Sequence, residues 1–597
     1  MTRRTAQIAL VLLLLFALGS SSFAQSPTPT FSTVPLVPAG TGQLSSPDLT
    51  ALFPDDLFTK KSSDPDSADE NAIQPGPALG FPIPSPQTIG ATSPLFAGFN
   101  GISHFDQRFA GSGRFANSQG SLEPPDQGLA AGNGFVLEAV NDALAVFDQH
   151  GTRLVGPTPL NQFFNLAPEI IRSTPPIFGD FVSDPKAYFD RQTQRWFVTA
   201  LQLDVDPVTG NFGKRSHTLI AVSQTSDPTQ AFNLFTIDTT NDGANGTPSH
   251  AICPCIGDQP LMGADANGFY IATNEFAIPP HNPFEFNRGQ IYAMSKSQLV
   301  HGTLLNVVHL SGLSAPGGAR AFSIQPATSP TLEDYDAEDN GTEFFLSSFS
   351  TLQVFANQVT VWALTNTSSL NSATPNLSLS NLLIPTENYT LSVVATQKTG
   401  PTPLADLLNS TLKDKDSEEF INTNDDRMNQ VVFSQGRLWS GVNTSIQQGN
   451  SLVAGIAFFI VKASTDEGQL RASVENQGYI SLQGENVFFP SIGVTASGKG
   501  VMTFSVSGPD FFPSAAFAQI DRKNGAGPVQ IAATGASPED GFSGYHAFGG
   551  GGVGRWGDYS AAVADGNTIW FATEFIPATP RSQLANWGTF IGSLPTN

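Results

Sequence analysis

The strongest constraint on this chain is a hairpin that it repeats. "GDQPLMGADANGFYIATNEF" (Gly257–Phe276) is answered far downstream by "GDYSAAVADGNTIWFATEF" (Gly557–Phe575), each opening on Gly-Asp and closing on an acid followed by Phe. Relatives of the motif read "PPDQGLAAGNGFVLEAVND" from Pro124, "SDPKAYFDRQTQRWFVTALQ" from Ser183 and "IQPATSPTLEDYDAEDNGTEFFLSSF" from Ile324. Two more read "DDRMNQVVFSQGRLWSGVNTS" from Asp425 and "FFPSIGVTASGKGVMTFSVSG" from Phe488, which makes seven units. Each is a strand of small residues, a turn rich in Gly, Asn or Asp, and a bulkier apolar strand. Two further strands usually follow before the next unit begins. Four strands repeated every ~58 to 100 residues predict an all-β chain folded as a seven-bladed β-propeller over residues 93–597. The small residues (Gly128, Ala130, Ala131, Gly263, Ala264, Ala561, Ala562) suit crowded innermost strands. Trp196, Phe197, Trp439 and Trp570 suit the space between neighbouring units. The last unit has only three strands, so Ser93–Phe105 is expected to return and close the ring.

Ahead of the repeats, Arg3 and Arg4, the apolar run Ile8–Leu18 and small residues up to Ala24 make a secretory signal peptide over residues 1–24. The chain is therefore expected to be secreted, periplasmic or held at the cell surface. No later run is long enough to span a bilayer. Residues 25–92, dominated by Pro, Ser, Thr, Asp and Gly, read as a disordered spacer in which only Leu49–Phe58 resembles a helical turn. A net charge of -23 argues against nucleic acid and for neutral or cationic partners. The chain is expected to be a monomer. Cys253 and Cys255, in "CPC", are read as a local structural or redox-labile pair, since two thiolates do not fill the four positions zinc usually takes.

A hairpin returns the chain to where it began, so Asp258 with Glu275 and Asp558 with Glu574 are expected to meet at the funnel mouth. Asp126, Asp184 and Asp426 stand at the corresponding starts of first strands, with Lys186, Arg427 and Arg555 close by in sequence as compensating cations. Such acids either bind a ligand or accept backbone N–H bonds between units. The second role is expected of Asp126, Asp184, Asp258 and Asp426. The functional one is expected of Asp558, Glu574 and Tyr559, around which Arg555 and His546 crowd. The glycine run Gly549–Gly552 precedes no helix, so it is read as a mobile loop over the funnel rather than a phosphate cradle. The acidic stretch Glu333–Glu343 could hold calcium, although its spacing matches no loop consensus. No Gly-x-Ser-x-Gly elbow occurs.

On these hairpins the chain resembles the secreted bacterial β-propellers of the sialidase-like and BNR-like group. That resemblance implies a funnel site, with Tyr559 and Glu574 as a nucleophile pair and Arg320, Arg427 and Arg555 as an arginine triad. The chain departs from the group in having seven units and no S-x-D-x-G-x-x-W box. The function expected is a binding module for a glycan, peptide or partner protein at the funnel. The alternative is a carbohydrate-active hydrolase or lyase using the same carboxylates.

Overall fold

The computed structural model describes residues 29–48, 59–61, 79–349, 353–412 and 419–596. The signal peptide and the helical turn expected at 49–58 lie outside the described residues. Each of the seven quoted hairpins is a pair of antiparallel strands. Their first strands are Gly128–Gly132, Phe181–Asp190, Cys255–Ala264, Gln325–Thr328, Val431–Ser434, Asn486–Val494 and Ala561–Asp565. Each of these lies against the next in chain order, and the seventh lies against the first, so the inner strands form a closed circuit.

Close approach explains the small residues. A Cβ on Gly263 would stand 2.5 Å from the Ala327 carbonyl oxygen, and one on Gly128 would stand 2.8 Å from that of Pro185, both on the neighbouring inner strand. Outward, the sheets diverge and aromatic rings fill the gap. Phe197 of the second sheet stacks on Phe269 of the third with centroids 4.7 Å apart, and Trp570 packs between the seventh sheet and the first.

The last sheet is completed from the other end of the chain. Ala97–Ser103 pairs antiparallel with Gly588–Pro595, covering an edge that would otherwise be open. The spacer expected over 25–92 needs correcting where it is described. Thr30–Pro35 adds antiparallel to the outer strand Asn306–Ser311, and Val37–Gly42 adds to Phe232–Asp238. Val34 and Leu36 are buried there, so two apolar side chains in a polar, Pro-rich segment suffice to dock it as edge strands, where Pro is tolerated. Further on, the Gln87 N–H donates to Ser481 and the Gly90 N–H to Val529.

Candidate functional site: the acidic mouth of the ring

Five of the seven first strands carry a kink in or just before their first half. Asp126, Asp184, Gln259, Ser323 and Phe489 have φ between 42° and 57°, in the left-handed region. Three of them, Asp184, Gln259 and Phe489, precede Pro within bulges that shift the register of the hairpin. A bulged N–H has no ladder partner. The Asn141 side chain accepts that of Asp184 at 2.8 Å and Asn443 that of Phe489 at 2.7 Å, while Asn274 accepts the N–H of Ser323, just ahead of the fourth first strand, at 2.8 Å. Asn141 directly follows the second strand of the preceding sheet, and Asn274 and Asn443 lie within theirs, so the staple between sheets is an amide that the sequence reading missed. The seventh unit meets the first differently, with the Asp558 N–H donating to Asp126 at 2.8 Å while Asn141 donates to the other Asp126 oxygen at 2.5 Å.

Around that closure Asp126, Asp184 and Asp558 do gather, together with Lys186, Tyr559 and Arg555. Arg555 donates to Asp558 at 3.1 Å and Asn424 donates to its other oxygen at 3.1 Å. The Lys186 ammonium sits 3.0 Å from the centre of the Tyr559 ring. Burial, then the fields of Asp558 and Asp184, push the Asp126 carboxyl well above its ordinary range. Burial pushes Lys186 down to about 7 against the pull of Asp126, Asp184 and Asp558. Tyr559 is held neutral by burial and by Asp184, Asp126, Asp258 and Asp558.

Other expected members go elsewhere. Asp426 is buried with neither oxygen hydrogen-bonded, and burial and Asp425 raise its carboxyl well above the usual range. Arg427 forks onto Asp425 at 2.7 Å through two nitrogens and lies over Phe322, and its charge acts on Asp426. Arg320 donates to the Phe286 carbonyl.

Glu574 reaches the residue before Asp558. It accepts the Gly557 N–H at 2.6 Å, its acidic neighbours are Glu539, Asp126 and Glu123, and burial raises its carboxyl well above the usual range. The sister residue Glu275 accepts from Asn241, His250, Asn287 and Gln290. The same letters in two repeats therefore do two different jobs.

The expectation of a solvent-facing mouth is also corrected. Asp126, Asp184, Asp258, Glu275, Asp426, Arg427, Asp558, Tyr559 and Glu574 are at most 7% exposed. The segments that wall them in lie outside the repeat, where no periodicity announces them. Val553–Gly554 pairs with Phe420–Ile421, the Ser543 N–H donates to Glu123, and the helix Pro403–Leu412 donates to Asp540 from its first turn. Below, the cavity lined by Gln127, Lys186, Gln325, Asn429 and Ser560 measures about 30 Å³, wide enough for a water and too narrow for a sugar ring. Arg555 and Asn424 reach the rim, half-buried, while His546 is exposed above it.

Acids of Glu333–Glu343 accept backbone N–H groups. Asp334 accepts the Gln435 N–H, Asp336 that of Glu338 and Glu343 that of Ala327. Among the described residues, the one grouping of three potential metal ligands is His250, Cys253 and Glu275.

Glu138 ties the closing strand to the first sheet by accepting the Ile102 N–H at 2.8 Å, and burial pushes its carboxyl from 4.5 up to about 7. The fold favours the neutral form. The stabilisation is complete below pH 4.5, falls as pH rises across the window, and is gone above about 7. Denaturant unfolding of the wild type and Glu138→Gln should accordingly change their stability difference by about 3 kcal/mol between pH 4.5 and 7.5. A pH-independent difference counts against a neutral Glu138.

No family model matches the chain, and no curated protein is similar to it in sequence. Among solved structures, it is similar to a protein of unknown function from Dyadobacter fermentans, at 12% identity over 69% of this chain and 94% of that one, with a TM-score of 0.32. It is also similar to Trypanosoma rangeli sialidase, at 9% identity over 84% of this chain and 60% of that one, with a TM-score of 0.30. A third is an alpha-L-arabinanase of Penicillium chrysogenum, at 10% identity over 68% and 92%, with a TM-score of 0.27. The chain spans less than two thirds of the sialidase. Likeness at these levels assigns no activity.

Proposed function

We propose that the chain is an exported seven-bladed β-propeller that binds a glycan at the rim of its acidic mouth, with the buried acids as framework. The observation that carries this reading is the Arg555–Asp558–Asn424 group. A buried carboxylate fixes a guanidinium and an amide at the rim, and preorganised planar donors of this kind suit sugar hydroxyls. A neutral or cationic glycan is favoured by the net charge of -23. A hydrolase is the second reading, because the raised Glu574 carboxyl is in the form a general acid needs. Against it, Glu574 is buried and already accepts a backbone N–H.

A glycan array probed with the mature protein and with Arg555→Ala, beside turnover of synthetic glycosides, tests the reading. Binding to a defined set of glycans should weaken at least tenfold in Arg555→Ala, the loss of a charge-assisted hydrogen bond, with the fold intact and no turnover. A protein that binds no glycan on the array contradicts the reading, and turnover establishes the alternative.

A further inference from the structure

Cys253 and Cys255 are joined as a disulfide in the loop that leads into the third sheet. Beside it stands a pair the sequence did not place there. His250 Nδ1 lies 2.8 and 2.9 Å from the two oxygens of Glu275. The Cys253 sulfur, a His250 ring nitrogen and a Glu275 oxygen all lie within 4.8 Å of one another. The loop is held in this shape by its backbone. The Cys253 N–H donates to the His250 carbonyl, the His250 N–H to Asn241, and the Cys255 N–H to Thr240. Glu275, with Asn241, Asn287 and Gln290 also donating to it, is fixed as the partner of the imidazole.

We propose that this is a redox-gated zinc site, closed while the disulfide stands and formed when it is reduced. A thiol reductant delivers two electrons and two protons. Its own two sulfurs join, the Cys253–Cys255 bond opens and two thiols result. Zn²⁺ then takes both sulfurs as thiolates, releasing their two protons to solvent, and takes the His250 imidazole as third ligand. Water fills the fourth position of the tetrahedron. Glu275 accepts the hydrogen of the ring nitrogen that faces away from the metal, the arrangement that orients histidine ligands and raises their basicity. The two thiolates alone are too few for zinc. The fold supplies the third donor and its support from residues adjacent in space.

Co²⁺, a spectroscopic stand-in for zinc, reads the site directly. The mature protein is reduced with a trialkylphosphine, which takes oxygen from water and passes the hydrogens to the two thiols, and is titrated with Co²⁺ without oxygen. The expected result is thiolate-to-cobalt charge transfer at one metal per chain, absent before reduction and abolished when the disulfide is re-formed. Affinity should fall at least tenfold in His250→Ala and in Glu275→Gln. Re-oxidation of the wild type needs no variant, so the test survives if a substitution disturbs folding. Reduced protein that takes up no more metal than oxidised protein, or charge transfer that persists after re-oxidation, overturns the proposal.

Discussion

Removal of residues 25–105 should abolish cooperative unfolding, whereas removal of 25–48 alone should lower the melting temperature by several degrees and leave the transition intact. The longer deletion strips the partner from Gly588–Pro595 and removes Ile102, which is fully buried. It also removes Phe96, which stacks on Phe517 with centroids 5.3 Å apart, and Phe99, which packs on Phe147 at 5.5 Å. Glu138 would lose its N–H donor as well. Three apolar side chains at up to about 1.5–3 kcal/mol each, with the outer edge of Gly588–Pro595 left uncovered, approach the stability of a typical domain. The shorter deletion takes away outer strands whose buried side chains include Val34 and Leu36 and leaves every inner strand in place. Calorimetry on the two truncations separates these outcomes. Equal melting of both proteins is incompatible with closure by Ala97–Ser103.

Among single substitutions of the ring acids, Asp126→Ala should be the most damaging, at about 3–5 kcal/mol. It leaves the buried Asp558 N–H without its acceptor and the Asn141 amide with only the Pro124 carbonyl, and it removes a group whose charge acts on Lys186 and Arg555. Asp126→Asn should be milder, because an amide oxygen still accepts the Asp558 N–H and only the bond from Asn141 is lost. Urea unfolding of the two variants at neutral pH gives the comparison. An alanine variant within about 1 kcal/mol of the wild type shows that Asp126 is no keystone.

The hairpins were legible because the information is local. Small residues, a Gly, Asn or Asp turn and a bulky strand recur in each, and the shortfall of one strand in the last unit pointed to Ser93–Phe105. The docked strands at Thr30–Gly42 were hidden by averaging composition over a long polar segment, in which Val34 and Leu36 carry the contact. The site was half legible. Asp126, Asp184, Asp558, Tyr559, Lys186 and Arg555 do converge, because their positions in the repeat fix their place on the ring. Their burial was not legible, since the covering segments around Phe420–Ile421 and Val553–Gly554 belong to no repeat. The staples Asn141, Asn274 and Asn443 stood in plain view at matching positions near the ends of "LEAVND", "IATNEF" and "SGVNTS". Each stands one or two residues from an acid or hydroxyl that could equally accept an N–H, so the letters alone do not single out the amide.

Glu574 separates a framework role from a catalytic one. With its carboxyl raised and accepting the Gly557 N–H, Glu574→Gln keeps both shape and acceptor, so the fold should stay within about 1 kcal/mol of the wild type. The decisive measurement is the glycan-array profile of Glu574→Gln beside that of the wild type, with turnover of any bound glycoside followed in parallel. A framework role for the buried acids predicts the same glycans bound at signals within about twofold, and no turnover by either protein. Turnover by the wild type that vanishes in Glu574→Gln, or loss of glycan binding in a folded Glu574→Gln protein, contradicts it.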